Sequence, residues 1–158
     1  MASPTAETFR RFARSVFSAQ AALLKHGDVA NADFGQSSAR WRVLQRIAAG
    51  QKSVADMARS TGYSRQAVQR LADALVAEGL ARYSADENDR RRQCLELTPA
   101  GIVIFEQLEA NFDSWADRLM THIPEADLVT TAKTLEHIRL ILLADCDYMK
   151  RKRSADAS

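Results

Sequence analysis

Residues 53–78, SVADMARSTGYSRQAVQRLADALVAE, specify two short helices and the turn between them almost residue by residue. Ser53 stands where a side-chain oxygen caps a first helix, with Asp56 three residues on as in a capping box, and Ser64 caps a second. Gly62 supplies a sharp turn between them. Ala58, Gly62 and Val68, flanked by Met57 and Leu71, match helix-turn-helix spacing: a small residue where the helices cross, a turn glycine, and an apolar residue folded back on the first helix. The second helix then buries Val68, Leu71, Ala72 and Leu75 and turns Arg65, Gln66, Gln69, Arg70 and Asp73 outward. An ordinary helical hairpin with a polar outer face satisfies the same spacing, so the surrounding sequence has to decide.

Glycine and proline mark the ends of the other elements. Pro4, Pro99 and Pro124 sit where helices can start, and Gly27, Gly50 and Gly79 follow helical patterns that a left-handed residue would close. Helices are expected at about 4–26, 37–49, 53–60, 64–78, 99–121 and 124–150. The first, fifth and sixth carry long apolar stripes, for example Phe9, Phe12, Val16, Phe17 and Leu24, or Ile102, Phe105, Leu108, Phe112 and Trp115. Between Leu80 and Thr98 the helical period stops. ARYS at 81–84 and RQCLEL at 92–97 are short enough for strands, with Leu95 and Leu97 on one face and Cys94 and Glu96 on the other, so Cys94 is expected to face outward. The polar segment ADENDRR between them gives a hairpin with a long exposed tip. With 158 residues, the chain has room for one domain or a small one with helical appendages.

The charges are segregated although the net charge is only +2. Residues 40–70 carry seven basic groups against Asp56 alone, whereas residues 101–149 set nine acids against Arg118, Lys133 and Arg139. Such a division suits one face that meets a polyanion, or chance clustering on solvated surfaces. Arg and Gln in the opening turns of the second short helix are the side chains that can contact guanine and adenine edges in a major groove. Enzyme chemistry has little support. His26, His122 and His137 belong to no nucleophile or metal motif, no Gly-rich phosphate loop is present, and no cofactor is implied. The most apolar stretch, 138–144, is interrupted by Arg139, so no membrane topology is expected. Two cysteines make no disulfide framework and the N-terminal residues lack an apolar signal core, which gives the expectation of a reducing cytoplasm.

At the hairpin tip, Asp89 to Thr98 reads DRRRQCLELT and continues into Pro99, Ala100 and Gly101. This resembles the wing signature of the MarR family of bacterial winged-helix regulators, DxRxxxxxLT followed by a helix, with Asp89, Arg91, Leu97 and Thr98 on its four fixed positions. The start of the second helix, Arg40 to Leu44, and EGLARY before the hairpin are also similar to that family. The resemblance implies a mainly α fold with a small β-hairpin wing, a winged helix-turn-helix with N- and C-terminal dimerisation helices. It divides the chain into a dimerisation helix and connector at 1–36, a DNA-binding domain at 37–98, dimerisation helices at 99–151 and a disordered tail at 152–158.

The resemblance further implies a homodimer on double-stranded DNA at an inverted-repeat operator, usually a repressor, released by a small aromatic or lipophilic effector. DNA-contacting residues are then expected at Ser64, Arg65, Gln66, Gln69 and Arg70 of the second short helix, and at Asp89, Arg90, Arg91 and Arg92 of the wing. An effector pocket would involve Phe9, Phe12, Phe17 and Trp41, each of which core packing explains equally well. Two other readings stand beside this one: a winged-helix activator or architectural protein without an effector, and a winged-helix module used only for protein interaction.

Overall fold

The computed structural model describes residues 3–50, 53–85 and 93–156. In chain order these form α1 (Pro4–Ala30), a 3-10 turn (Ala32–Phe34), α2 (Ser38–Ala48), α3 (Val54–Thr61), α4 (Arg65–Ala77), β1 (Ala81–Ala85), β2 (Gln93–Leu97), α5 (Pro99–Met120) and α6 (Glu125–Asp156). The strands pair antiparallel, with Ala81 opposite Leu97, Tyr83 opposite Leu95 and Ala85 opposite Gln93. The described residues therefore show a mainly α, winged helix-turn-helix arrangement. The wing-tip residues Asp89, Arg90, Arg91 and Arg92 lie outside the described residues.

The chain divides into two compact units, one ending at Phe112 and one beginning at Asp113. The first contains the core. Val43, Leu44 and Ile47 of α2, Met57 and Ala58 of α3, and Val68, Ala72 and Leu75 of α4 close on Leu80, Ala81, Leu95 and Leu108. Burying a Leu or Met side chain stabilises by roughly 1.5–3 kcal/mol relative to exposing it, so this cluster is what holds α4 and the hairpin to their supports. Leu71, expected in the core, is only half-buried and packs at its edge. In the second unit, α6 has no buried residue, and Leu140, Ile141, Leu142 and Leu143 are each at least half exposed.

Three details depart from the sequence expectation. Gly27 lies inside α1 rather than closing it, and the helix continues to Ala30. A Cβ there would strike the Ser38 hydroxyl, which donates to the Leu24 carbonyl at 2.7 Å, so the glycine serves the close approach of α1 and α2. Cys94 is buried beside Leu95 rather than outward, because both faces of β2 are covered at that point, which strict alternation does not anticipate. Helix α6 passes the boundary expected at 151 and remains helical through Asp156. Its last turns carry Lys150, Arg151, Lys152 and Arg153, cations that suit the negative end of a helix dipole.

Gly101, in the first turn of α5, is buried and faces the Leu80 carbonyl, with no space for a Cβ between them. Helix propensity alone favours alanine over glycine by about 1 kcal/mol. We expect the opposite sign here. Gly101→Ala should destabilise the fold by about 1–3 kcal/mol in urea unfolding, the usual range for overpacking, because the obstacle is backbone.

Candidate nucleic-acid interface

Each helix of the α3–α4 pair is capped as its sequence dictates. Ser53 Oγ accepts from the Asp56 N–H at 3.1 Å and Ser64 Oγ accepts from the Ala67 N–H at 3.1 Å. Gly62 closes α3 with φ 76°, a conformation that other residues adopt only at a cost, and its N–H reaches the Ala58 carbonyl. The turn is then pinned from α2. Arg42 donates to the Thr61 carbonyl at 3.2 Å and to the Tyr63 hydroxyl at 3.1 Å, with its guanidinium 4.9 Å from the centre of the Tyr63 ring.

This geometry sorts the basic residues of 40–70 into two sets. Arg40 pairs with Glu78 and donates to the Gly35 carbonyl, Arg42 holds the turn, Arg59 pairs with Asp56, and Arg46 is half-buried. Lys52 lies outside the described residues. Arg65 and Arg70 remain, both exposed, alongside exposed Gln66. Ser64 is exposed too, but its hydroxyl oxygen already serves as the helix cap.

Gln69 differs from its neighbours. It is half-buried, and its Nε2 donates to Asp73 Oδ1 at 2.9 Å and to the Tyr83 hydroxyl at 2.6 Å. Tyr83, on β1, donates in turn to Asp73 Oδ1 at 2.6 Å. The three side chains form a closed ring of hydrogen bonds that ties α4 to the hairpin. Burial first, and then the hydrogen bond to Asp73, pushes the Tyr83 hydroxyl up to about 12. The bonds from Tyr83 and then Gln69 hold the Asp73 carboxyl below its ordinary value. Nothing in the sequence pairs Tyr83 with α4, because they meet only once the hairpin folds back.

The wing signature also has a structural half. Thr98 Oγ1 donates to the Gly79 carbonyl at 2.6 Å and accepts the Gly101 N–H at 3.0 Å, so it both caps α5 and fastens that helix to the end of α4. On β1 and β2, Glu96 takes hydrogen bonds from Arg82 and Ser84 across the hairpin.

Of the expected effector residues, Phe9, Phe12 and Phe17 lie on α1 and Trp41 on α2. Phe9 and Phe12 meet each other at 6.0 Å along α1, and Phe17 is 70% exposed. Trp41 packs on Phe112 at 5.1 Å and donates its indole N–H to Glu109 at 2.8 Å. An open groove of about 450 Å³ is lined by residues that include Ile47, Leu95, Leu97, Ile102 and Phe105. Among the described residues no cluster suits a metal ion, and no helix is long and apolar enough to cross a membrane.

A MarR family model matches residues 34–92, which span the helix-turn-helix and extend to the wing tip. The chain is also 30% identical over 135 residues to the uncharacterized protein Rv2011c of Mycobacterium tuberculosis, covering 85% of this chain and 94% of that one. The chain belongs to the MarR family. Among solved structures, the transcriptional regulator PA3341 is 28% identical with a TM-score of 0.75, over 83% of this chain and 97% of that one. A MarR/EmrR family regulator from Acinetobacter sp. ADP1 shares the fold at 18% identity and a TM-score of 0.76, over 84% and 95% of the two chains. CouR from Rhodococcus jostii RHA1, solved with p-coumaroyl-CoA bound, shares it at 21% identity and 0.71, over 78% and 87%. The protein is a transcription regulator of the winged-helix type.

The Tyr83 ring predicts a particular alkaline behaviour. A tyrosine whose folded pKa exceeds its unfolded value of 10.0 contributes stability that is complete below about pH 10 and lost as pH rises toward about 12. Tyr83→Phe should therefore be less stable than wild type at pH 8, by about 1 kcal/mol for a hydrogen bond. The gap in melting temperature should narrow between pH 10 and pH 11.5, as thermal unfolding across that range will show.

Proposed function

We propose that the protein is a homodimeric, sequence-specific DNA-binding regulator, acting as a repressor that a small aromatic or lipophilic molecule releases. The observation that carries the reading is α4 itself: its inner residues Val68, Ala72 and Leu75 are fully buried, while Arg65, Gln66 and Arg70 stand exposed in its opening turns. A helix held by its apolar face and offering Arg and Gln from its N-terminal half suits insertion into a major groove. Ser64 and Gln69 belong to the same contact region, and Asp89, Arg90, Arg91 and Arg92 supply wing contacts by resemblance, with Arg91 in a minor groove or on phosphate.

Homodimerisation is supported by apolar surface within each unit. Phe9, Phe17, Leu23 and Val29 of α1 are each at least half exposed, as are Leu140 to Leu143 of α6. Apolar surface on that scale is uncommon on a monomer and suits pairing with a second copy. The effector class is supported by CouR, whose structure holds p-coumaroyl-CoA, and by the apolar lining of the groove beside α5.

Three measurements test this. Sedimentation at micromolar concentration should give a dimer, and a well-folded monomer would remove the dimer from the proposal. Selection from random duplex DNA should return inverted repeats with half-site centres about 10–10.5 base pairs apart. On the selected site, Arg65→Ala should relax sequence preference, at about 1–3 kcal/mol for a base contact. Arg91→Ala should instead weaken specific and random DNA alike and lower the salt slope by about one unit per subunit.

A further inference from the structure

We propose that the open groove beside the hairpin is a site for a small lipophilic cation. The inference rests on the effector reading above and adds a charge to it. At about 450 Å³ the groove has room for a drug-sized molecule, and all of its lining residues belong to the first compact unit.

The walls follow from the periods of two elements. Ile102, Phe105 and Glu106 stand at i, i+3 and i+4 on α5 and share a helix face, while Leu95 and Leu97 alternate along β2 and share a strand face. The end of α2 closes the third side with Ile47 and Ala48. Leu95 and Ile47 are buried in the core cluster, whereas Ile102 is 45% exposed and Ala48 is exposed, so the groove is an apolar surface over a packed floor. Apolar burial there supplies affinity without specifying charge.

The carboxylates specify the charge. Glu96 and Glu106 line the groove, and among the described residues no Lys, Arg or His does. Glu96 is compensated by Arg82 at 2.9 Å. Glu106 is exposed and has no hydrogen bond or ion pair among the described residues. One turn further along α5, Glu109 accepts from the Trp41 indole and the Gln45 amide, neutral donors that leave its charge in place. Arg46, next to Ile47 in the chain, lies four residues from Arg42 and so on the face of α2 that meets the α3–α4 turn. An anion in the groove would face Glu106 with no cation to receive it. A cation would meet that carboxylate and the neighbouring Phe105 ring, both of which attract positive charge.

The position also connects the groove to the DNA-binding elements. Leu97 precedes Thr98 and Ile102 follows Gly101, the two residues that fasten α5 to the hairpin and to the end of α4. A molecule held between Leu97 and Ile102 bears on that attachment.

The test is an NMR titration of the full chain at pH 7 with three probes that share one ring system: naphthylmethylammonium, naphthylmethanol and naphthoate. The ammonium should bind more tightly than the alcohol by about 5-fold, and the naphthoate more weakly than the alcohol. Methyl signals of Ile47, Leu95, Leu97 and Ile102 should shift. Glu106→Gln should abolish the preference while the alcohol binds as before, and Glu106→Lys should invert it. Both variants should fold, because Glu106 is exposed. Equal binding of the three probes, a preference unchanged in both variants, or shifts confined to residues outside the groove overturns the assignment. So do groove methyl signals that shift with protein concentration alone, the mark of a second copy covering the groove. Release from a selected duplex is measured separately. Binding with the expected preference but no loss of DNA at saturation overturns the effector role and leaves the cation site standing. A folded chain that enriches no duplex overturns the DNA-binding reading and likewise leaves the site standing.

Discussion

The arrangement of α4, the hairpin and α5 depends on a small joint where backbone meets backbone. The Leu80 carbonyl accepts the Thr98 N–H at 3.1 Å, the Gly79 carbonyl accepts the Thr98 hydroxyl, and Gly101 brings the first turn of α5 against Leu80. The Leu80 N–H in turn reaches back to the Leu75 carbonyl at 2.9 Å. The end of α4, the base of the hairpin and the start of α5 are therefore positioned together. This gives the leucine and threonine that close the wing signature a physical reason, since Leu97 pairs with Ala81 at the hairpin base and Thr98 makes the joint. Binding chemistry on the exposed side can vary only as far as this support allows.

The fold also changes what the charge pattern means. A run of seven basic residues against one acid looks like a binding face in the sequence, yet Arg40, Arg42 and Arg59 are engaged within the fold. Arginine suits such work because its planar fork satisfies several acceptors at once, as Arg42 does at the turn. Arg65 and Arg70 stand exposed. Exposed ion pairs such as that of Arg59 with Asp56 contribute little to stability, so their main effect here is to hold cations locally.

Much of the scaffold was legible in the sequence because its signals are local. Caps at Ser53 and Ser64, the turn at Gly62, and the helix starts at Pro4 and Pro99 concern residues within one turn of each other. The apolar spacing of α4 likewise identified Val68, Ala72 and Leu75. Gly27 was misread because glycine serves two purposes, backbone freedom and close packing, and only the position of Ser38 tells them apart. Cys94 was misread because alternation describes a strand with one covered face. The candidate interface was legible in part: Arg65 and Gln66 stand exposed, whereas the engagement of Gln69 depends on Tyr83, 14 residues away across the start of the hairpin. Partners brought together by tertiary folding leave no periodic mark.

The buried position of Cys94 gives the molecule an internal clock. A thiol that is only 4% exposed meets a bulky alkylating reagent only when the structure around β2 opens, so at saturating reagent its modification follows the rate of that opening. Cys146, exposed on α6, reports the intrinsic chemistry of an accessible thiol in the same chain. The ratio of the two rates measures how often the structure around Cys94 opens, using only the thiols the chain already carries.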